Sequence, residues 1–327
     1  MSKVDLTAKQ FHDEDFAREF LESKRWKDGV VCPHCNSCDK AYKLNPKADS
    51  RKAVRKGVWK CKECRKQFTV TVGTIFEKSR VPLHKWLLAM HLLCASKKGM
   101  SAHQLHRMLG VTYKSAWFMC HRIREAMKQE PIKAKLEAKA GNQDDAGKLQ
   151  GTVEVDETYI GGKAKNMHAR IRRERFQGRR GAVEKAPVVT IVERGGRVKS
   201  QYMEMVTGDN LKAALLECVS PLASICTDES PSYFGVENHF ASREAVNHKK
   251  GEYVRGNAHV NTCESVHALM KRGVIGVYHH WSKKHLHRYL SEFDFRFNAR
   301  KINDTERAIR ALESVQVRLM YKDLING

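Results

Sequence analysis

The sequence has no long hydrophobic run. Its longest apolar stretch, residues 86–95, is interrupted by His91 and is shorter than the roughly 20 residues that a membrane-spanning helix needs. The first ten residues also lack the apolar core of a secretory signal peptide. These absences argue against an integral membrane protein and predict a protein of the cytoplasm.

Acidic residues are scarce relative to basic ones. The 327 residues include 60 Lys and Arg against 37 Asp and Glu, which gives a net charge of +23 and a pI of about 9.7. Such an excess predicts a polyanionic partner, most simply DNA or RNA. A merely basic ribosomal or chromatin-type protein would show the same balance. The length predicts two or three domains.

Ten cysteines in a reducing compartment indicate metal ligation rather than disulfides. Four of them form two Cys-x-x-Cys pairs, Cys32 with Cys35 and Cys61 with Cys64. Two such pairs offer four thiolates to a tetrahedral, structural Zn²⁺ with no open position. A redox pair or free core cysteines are the alternatives, and Cys38 could replace Cys35 as a ligand.

The segment between the two cysteine pairs is strongly basic. From Lys40 to Lys66 there are eleven Lys and Arg but two acids, which favours a zinc ribbon with a long basic hairpin. We therefore predict a zinc-ribbon DNA-binding region over residues 1–80.

Residues 100–124 predict two helices joined by a tight turn at Gly110. This is the pattern of a helix-turn-helix, whose second helix enters the major groove. An ordinary helical hairpin would have the same apolar spacing. We assign the motif to residues 81–130 and a polar linker to residues 131–150. The residues that could reach DNA are Tyr113, Lys114, Ser115, His121, Arg122 and Arg124.

A second basic segment lies further along the chain. Residues 163–180 carry eight Lys and Arg, among them Arg172 and Arg173, against one acid. This density is typical of a DNA-clamping or disordered loop, although a solvated surface loop is the alternative.

Three acidic residues carry the chemistry of the second half. Asp156 lies in an alternating strand pattern, Asp228 ends a second short strand, and Glu264 lies in a helical pattern. Two strand-borne aspartates and a helix-borne glutamate can converge on two Mg²⁺ or Mn²⁺ ions, which prefer oxygen ligands. Such a pair of ions stabilises the attacking and leaving oxygens when a phosphodiester is displaced. We expect Asp156 to bridge the ions, Asp228 to bind one and Glu264 the other.

Other residues compete for these positions, among them the acids Glu154, Glu157 and Glu229. Glu154 shares the strand face of Asp156, whereas Glu157 is expected to point the other way. Asn261 lies three residues before Glu264, on the same helix face. A carboxylate binds Mg²⁺ better than an amide, which favours Glu264 without excluding Asn261.

The element order over residues 151–300 is strand, strand, strand, helix, strand, helix, and it predicts a ribonuclease-H-like domain with a mixed β-sheet flanked by helices. The whole chain is thus expected to be an α/β multidomain protein, with residues 301–327 as a C-terminal helical tail. Lys271 lies two turns after Glu264 and could contact a phosphate of the DNA.

Several motifs resemble the bacterial insertion-sequence family 1595, the ISXO-type transposases with a DDE/N active site. The resemblance covers roughly residues 15–300 in the same order. One departure is Val266-His267, where an aromatic residue usually follows the Asn-Thr-x-Glu-Ser motif. The motifs are QFTVTVGTIF (67–76), PLHKW (82–86), VDETYIGG (155–162), NTCES (261–265), KRG (271–273) and YHHWSKKHL (278–286).

The resemblance implies a zinc ribbon, a helix-turn-helix and a ribonuclease-H-like domain that cuts and transfers the ends of an insertion element. It implies an active site of Asp156, Asp228, Lys271 and the Asn261/Glu264 position. The expected partners are the terminal inverted repeats and target DNA, bound by a homodimer or larger assembly at the bacterial nucleoid. A non-catalytic DNA-binding regulator and a nuclease that never joins strands are the rival hypotheses.

Overall fold

The computed structural model describes residues 5–45, 55–128, 147–162, 168–176, 185–247 and 250–326. They divide into two compact units, one formed by residues 1–131 with 301–327 and one by residues 132–300. Most of the predicted linker and parts of both basic segments lie outside the described residues. The described end of that linker, around Leu149, belongs to the second unit, where Leu149 is buried and bridges to Val219.

The first unit combines a small antiparallel sheet with a group of helices. The sheet has the order β1-β2-β3. Its own apolar core is centred on Cys32, Cys61 and Phe68, against which Trp26 and Trp59 pack. The strands are β1 (Ala41–Lys43), β2 (Trp59–Cys61) and β3 (Gln67–Phe68), and the helices are α1 (Glu14–Arg25), α2 (Leu83–Ala95), α3 (Ala102–Leu109) and α4 (Tyr113–Lys128).

Two C-terminal helices complete this unit, α9 (Asp304–Leu312) and α10 (Tyr321–Asn326). Helix α9 packs on α2, and the Ile75 amide donates a hydrogen bond of 3.0 Å to the Val315 carbonyl. The sequence predicted a helical tail after the catalytic domain but not that this segment closes the core of the N-terminal unit.

Helices α3 and α4 are joined by a turn at Gly110, whose φ of 60° lies in the left-handed region that glycine adopts at little cost. Ser101 caps α3 through the Gln104 amide, and Thr112 accepts a hydrogen bond from the Ser115 amide at the start of α4. These local signals fix where each helix begins and ends.

The second unit is built on a mixed five-stranded sheet with the order β6-β5-β4-β7-β8. β4 is antiparallel to β5 and parallel to β7. The sequence missed the edge strand β8. The elements are β4 (Thr152–Ile160), α5 (Ala169–Phe176), β5 (Ala186–Glu193), β6 (Val198–Tyr202), α6 (Gly208–Cys218), β7 (Ser224–Asp228), β8 (Ser242–Val246), α7 (Asn261–Gly273) and α8 (Leu286–Asn298).

Apolar residues cover both faces of this sheet. One core includes Val153, Val155 and Leu211 of α6, and the other includes Val188 and Met270 of α7. Burial on both faces explains why β5 reads as a nearly continuous apolar run rather than an alternating one. The mixed α/β fold expected from the sequence is confirmed.

Candidate functional site

The four cysteines of the two Cys-x-x-Cys pairs form one cluster in the first unit, and all four sulfur atoms lie within 4.8 Å of one another. Cys32 Sγ is 3.7 Å from Cys64 Sγ, and Cys35 Sγ is 3.7 Å from Cys61 Sγ. A tetrahedron with Zn–S bonds of about 2.3 Å has sulfur–sulfur edges of about 3.8 Å, whereas a disulfide needs about 2.05 Å. The donor set therefore fits a structural Zn²⁺.

The surroundings of this cluster favour thiolates. Hydrogen bonds from the Ser37 hydroxyl and backbone lower the pKa of Cys35 to about 6, and a lower pKa makes a thiol a better metal ligand. Cys38 is exposed and lies outside the cluster, with its Sγ 3.9 Å from the Asp28 carbonyl. The structure thus selects Cys35 rather than Cys38 as the fourth sulfur.

Asp156 and Asp228 lie side by side at the end of the β4–β7 pairing. The parallel register ends at Glu154 opposite Cys226, and each aspartate follows two residues later on its strand. A shift of two residues keeps both side chains on the same sheet face at the same level. Register and parity together thus bring two carboxylates from distant parts of the sequence into one site.

Glu157 is the third acid of this site, with its carboxylate in a group with Asp156 and Asp228 whose oxygens lie within 4.8 Å of one another. Desolvation raises the pKa of Glu157 to about 7, the Tyr233 hydroxyl partly offsets this, and the negative charges of Asp228 and Asp156 raise it further. The expectation that Glu157 points away from the aspartates is therefore wrong. At Glu157, β4 is no longer paired with β7. The Glu157 side chain can therefore reach the space beside Asp156 and Asp228, although it starts from the opposite face of the sheet.

Glu154 has a structural role. Its buried carboxylate accepts hydrogen bonds from the Thr262 amide at 2.8 Å and the Cys263 amide at 3.4 Å. It also pairs with Arg194 at 2.9 Å and His259 at 3.2 Å. A carboxylate at a helix N-terminus satisfies free amides and interacts favourably with the helix dipole. Glu154 thereby anchors the start of α7 beside β4.

Helix α7 carries the remaining predicted active-site residues. Asn261 is its first residue and Glu264 lies in its first turn, both exposed, and Lys271 is exposed in its last turn. Glu264 is not a member of the acidic group found among the described residues. His267, which sequence reasoning treated only as a departure from a motif, is buried with Nδ1 3.4 Å from Asp156 Oδ2.

The acidic group fits divalent cations of the Mg²⁺ type. Carboxylate oxygens are the donors that such hard ions prefer. Like charges this close repel one another and raise each other's pKa unless a cation neutralises them. Burial is the main cause of the raised pKa of Glu157, and the charges of Asp228 and Asp156 raise it further.

Three of the predicted DNA-binding residues lie at the start of α4. Tyr113 and Lys114 are exposed and Ser115 is partly exposed. The Tyr113 ring stacks on His103 with centroids 4.2 Å apart, and Lys114 Nζ lies 4.7 Å from the Tyr321 ring centroid. The first turn of α4 is therefore a polar surface on which Tyr113 and Lys114 also contact neighbouring rings.

The assignment of Arg122 and Arg124 to a DNA surface is wrong. Their exposed fractions are 4% and 2%. Arg122 donates hydrogen bonds to the carbonyls of Ile75 at 2.6 Å, Glu77 at 2.9 Å and Leu319 at 3.0 Å. A buried guanidinium needs such acceptors to offset its lost hydration, so Arg122 ties together three parts of the first unit.

The remaining predicted DNA contacts have different outcomes. Arg172 and Arg173 lie on α5, where Arg173 is exposed. His121 is buried and packs edge-on against Trp117, so its assignment to a DNA surface is also wrong.

No helix among the described residues is long and apolar enough to cross a membrane.

Comparisons with known proteins match both units. A family model described as "ISXO2-like transposase domain" matches residues 148–298, and one described as "Transposase zinc-ribbon domain" matches residues 12–67. An "Uncharacterized protein in transposable element ISH50" of Halobacterium salinarum is 30% identical over 304 residues, covering 89% of this chain and 93% of that protein.

One solved structure, "Crystal structure of the Mos1 Strand Transfer Complex", overlaps 70% of this chain and 74% of that chain, at 12% identity and a TM-score of 0.27. A likeness this low carries no argument. The extended match to the haloarchaeal protein and the two domain matches are sufficient, and the chain belongs to the insertion-sequence family 1595 of transposases.

Proposed function

We propose that this transposase cuts and joins DNA strands in a divalent-metal-dependent reaction at the ends of an insertion element. One observation carries the proposal: Asp156, Asp228 and Glu157 present carboxylate oxygens within 4.8 Å of one another. A group of three crowded acids is costly without a cation. Although the chain has a net charge of +23, this acidic group would repel the phosphates of DNA unless a cation were bound to it.

The topology of the second unit supports a ribonuclease-H-like catalytic domain. Counted within this unit, its five strands have the spatial order 3-2-1-4-5, with the first three forming an antiparallel meander. The first and fourth strands carry Asp156 and Asp228. This is the layout expected for two-metal phosphodiester chemistry on such a sheet.

Asp156 and Asp228 would hold the metal ions. Two divalent cations bound there would activate the attacking hydroxyl and stabilise the leaving oxygen. The geometry favours Glu157 as the third metal ligand. The family resemblance instead implies Glu264, or Asn261 in its place. His267 contacts Asp156 at 3.4 Å and would hold that carboxylate in one orientation.

The first unit would supply the DNA contacts. Helices α3 and α4 would act as a helix-turn-helix, in which the first residues of the second helix reach base edges. Tyr113, Lys114 and Ser115 occupy that position and are at least partly exposed. In the second unit, Arg172, Arg173 and Lys271 would contact backbone phosphates, as cationic side chains do in most DNA interfaces.

The test uses labelled duplexes of the terminal inverted repeats, a target plasmid and Mg²⁺. Strand cleavage followed by joined products, both lost in Asp228→Ala while the terminal repeats remain bound, is the expected result. Cleaved ends that never join would indicate a nuclease instead. Specific binding without any strand breakage by the parent protein would indicate a DNA-binding regulator.

Assembly can be measured in the same system. Joining two ends requires that both be held together, so we expect at least two protein chains per pair of ends. Light scattering of the protein–DNA complex would give this stoichiometry. A single chain on each separate end, with no paired complex, would contradict the expectation.

A further inference from the structure

A cavity of about 400 Å³ adjoins the acidic site in the second unit. It begins at Glu157 and follows β4 toward the last turn of α7, where Lys271 and Ile275 form part of its wall. Glu157 therefore belongs both to the acidic group and to the cavity. Whatever occupies this space lies next to a phosphodiester held at the acids.

The volume of the cavity suits a small ligand. Pockets for small molecules occupy about 300–1,000 Å³, so this cavity is large enough for a single nucleotide and too small for a duplex. Gly161 contributes to its wall, and a Cβ there would approach the Lys185 side chain to 3.1 Å.

Two of its side chains present apolar surface to solvent. Tyr159 is 43% exposed and Ile275 is 68% exposed, and both line the cavity. Exposed aromatic rings stack on bases without regard to their sequence, because every base has a π-face. An aromatic ring and an aliphatic side chain are the surfaces that a nucleobase uses when it leaves the duplex.

Two cations line the same cavity. Lys185 and Lys271 have no ion-pair partner among the residues that the structure describes. The ammonium groups carry charge of the sign that a nucleotide's phosphate needs. An exposed ring beside two lysines without an ion pair among the described residues suits a ligand that is both flat and anionic.

The backbone around Ile275 is irregular in a way that ordinary core packing does not require. Residues Val274–Tyr278 form a π-helix directly after α7. His279 follows with φ 60° and ψ −34°, a conformation that non-glycine residues rarely adopt. π-Helical turns are concentrated at functional sites. This one sets the exposed Ile275 at the mouth of the cavity.

From these observations we infer that the cavity between β4 and the α7 C-terminus binds one unpaired base of the DNA strand next to the phosphodiester held by the acids. Tyr159 stacks on the base, Ile275 covers its other side, and Lys185 and Lys271 contact the flanking phosphates. The inference rests on the proposed function, because it needs DNA at the acidic group.

The test is a double-mutant cycle, measured by binding affinity, that combines Tyr159→Ala with the removal of single bases from a terminal-repeat duplex. Abasic sites are placed one at a time at the positions flanking the cleavage point, and affinities are measured with Ca²⁺ in place of Mg²⁺ so that no strand is cut. For the parent protein, removal of one particular base should weaken binding about tenfold, because base–aromatic stacking is lost. For Tyr159→Ala the intact and abasic duplexes should bind equally.

Two controls separate this from a general loss of folding. Tyr159→Phe keeps the ring and should behave as the parent. Leu222→Ala removes an apolar side chain that is 83% exposed and precedes β7 at the end opposite Asp228, and it should also keep the full abasic penalty. An equal penalty at every position in the parent and Tyr159→Ala would overturn the inference.

Failure of the inference is distinguishable from failure of the proposed function. The same parent protein and intact duplex are assayed for joining with Mg²⁺. Joined products without coupling between Tyr159 and any base would refute the base-binding cavity and leave the function standing. No specific binding and no cleavage would refute both.

Discussion

The two clusters of side chains that could hold metal ions among the described residues differ in their effect on the fold. The sulfur cluster brings together four cysteines, two pairs of which have sulfur atoms 3.7 Å apart, beside Trp26, Trp59 and Phe68. The carboxylate cluster brings together three acids of the same sign within 4.8 Å. The first arrangement is saturated by one ion, whereas the second keeps like charges close together.

One chain thus contains a closed group of four sulfur ligands and an open group of three acids. Four protein ligands close the coordination shell of zinc and leave no position for substrate. Three carboxylates leave positions for water and phosphate, and their mutual repulsion disfavours the fold until a cation binds. Removing a ligand should therefore destabilise the first site and relieve strain at the second.

The largest expected effect is at the sulfur cluster. Cys61→Ser should abolish zinc binding and unfold the region around residues 30–65, because structural zinc contributes about 10–16 kcal/mol to small zinc domains. Metal content and protease resistance measure this directly. Cys38→Ser is the matched control, since Cys38 lies outside the cluster, and it should keep one zinc ion. Unchanged folding of Cys61→Ser would contradict the structural role.

The next effect is at the carboxylate cluster. Asp156→Asn should lower strand cleavage at least about 100-fold, as loss of metal-site groups does, while raising the metal-free melting temperature because one like charge is removed. Glu154→Gln, two residues away on β4, should do the opposite to stability, costing about 3 kcal/mol by breaking a buried ion pair. A lower melting temperature for Asp156→Asn would contradict the expectation that repulsion among the three acids destabilises the metal-free protein.

The third donor can be assigned by Mn²⁺ binding. Glu157→Gln should weaken binding of Mn²⁺ to the DNA-free protein about 10–100-fold, because its carboxylate is already within the group. Glu264→Gln and Asn261→Ala should change that affinity much less. Electron paramagnetic resonance titration measures free Mn²⁺. A larger loss from Glu264→Gln would give the third position to α7.

The smallest effect concerns a carboxylate of the second unit with no metal role. Burial raises the pKa of Asp294 to about 7, and its hydrogen bonds from Ser200 partly offset the shift. A raised folded-state pKa means that the folded protein binds more protons than the unfolded chain between about pH 4 and 7, so this group lowers stability as pH rises through that window. The free energy of unfolding of Asp294→Asn should therefore increase relative to that of the parent by about 1–2 kcal/mol as the pH rises from 5 to 8.

The two clusters also differ in how they could be predicted. The four cysteine ligands could be predicted from the sequence because a spacing of two residues within each pair fixes a local geometry. Asp156 and Asp228 were readable because each ends or lies in a short apolar strand pattern. Glu157 could not be predicted in this way, because strand parity assigns it to the opposite face from Asp156. Its side chain reaches the aspartates because the pairing of β4 with β7 ends at Glu154.

The buried arginines show a second limit of sequence reasoning. Basic residues on a predicted recognition helix suggest contact with DNA, yet Arg122 is satisfied by carbonyls as distant as Leu319. Contacts across nearly 200 positions leave no local pattern. The charged strand β8 was missed for a related reason: an edge strand needs little apolar sequence.

The discontinuity of the first unit has a consequence for synthesis. Domains generally fold as they leave the ribosome, N-terminal ones first, but residues 132–300 here are made before the segment that closes the N-terminal core. Until residue 319 is translated, Arg122 lacks one of its three carbonyl acceptors. A nascent chain therefore completes its second unit while the first is still unfinished, and a stop codon just after residue 300 would release the second unit attached to an incomplete first unit.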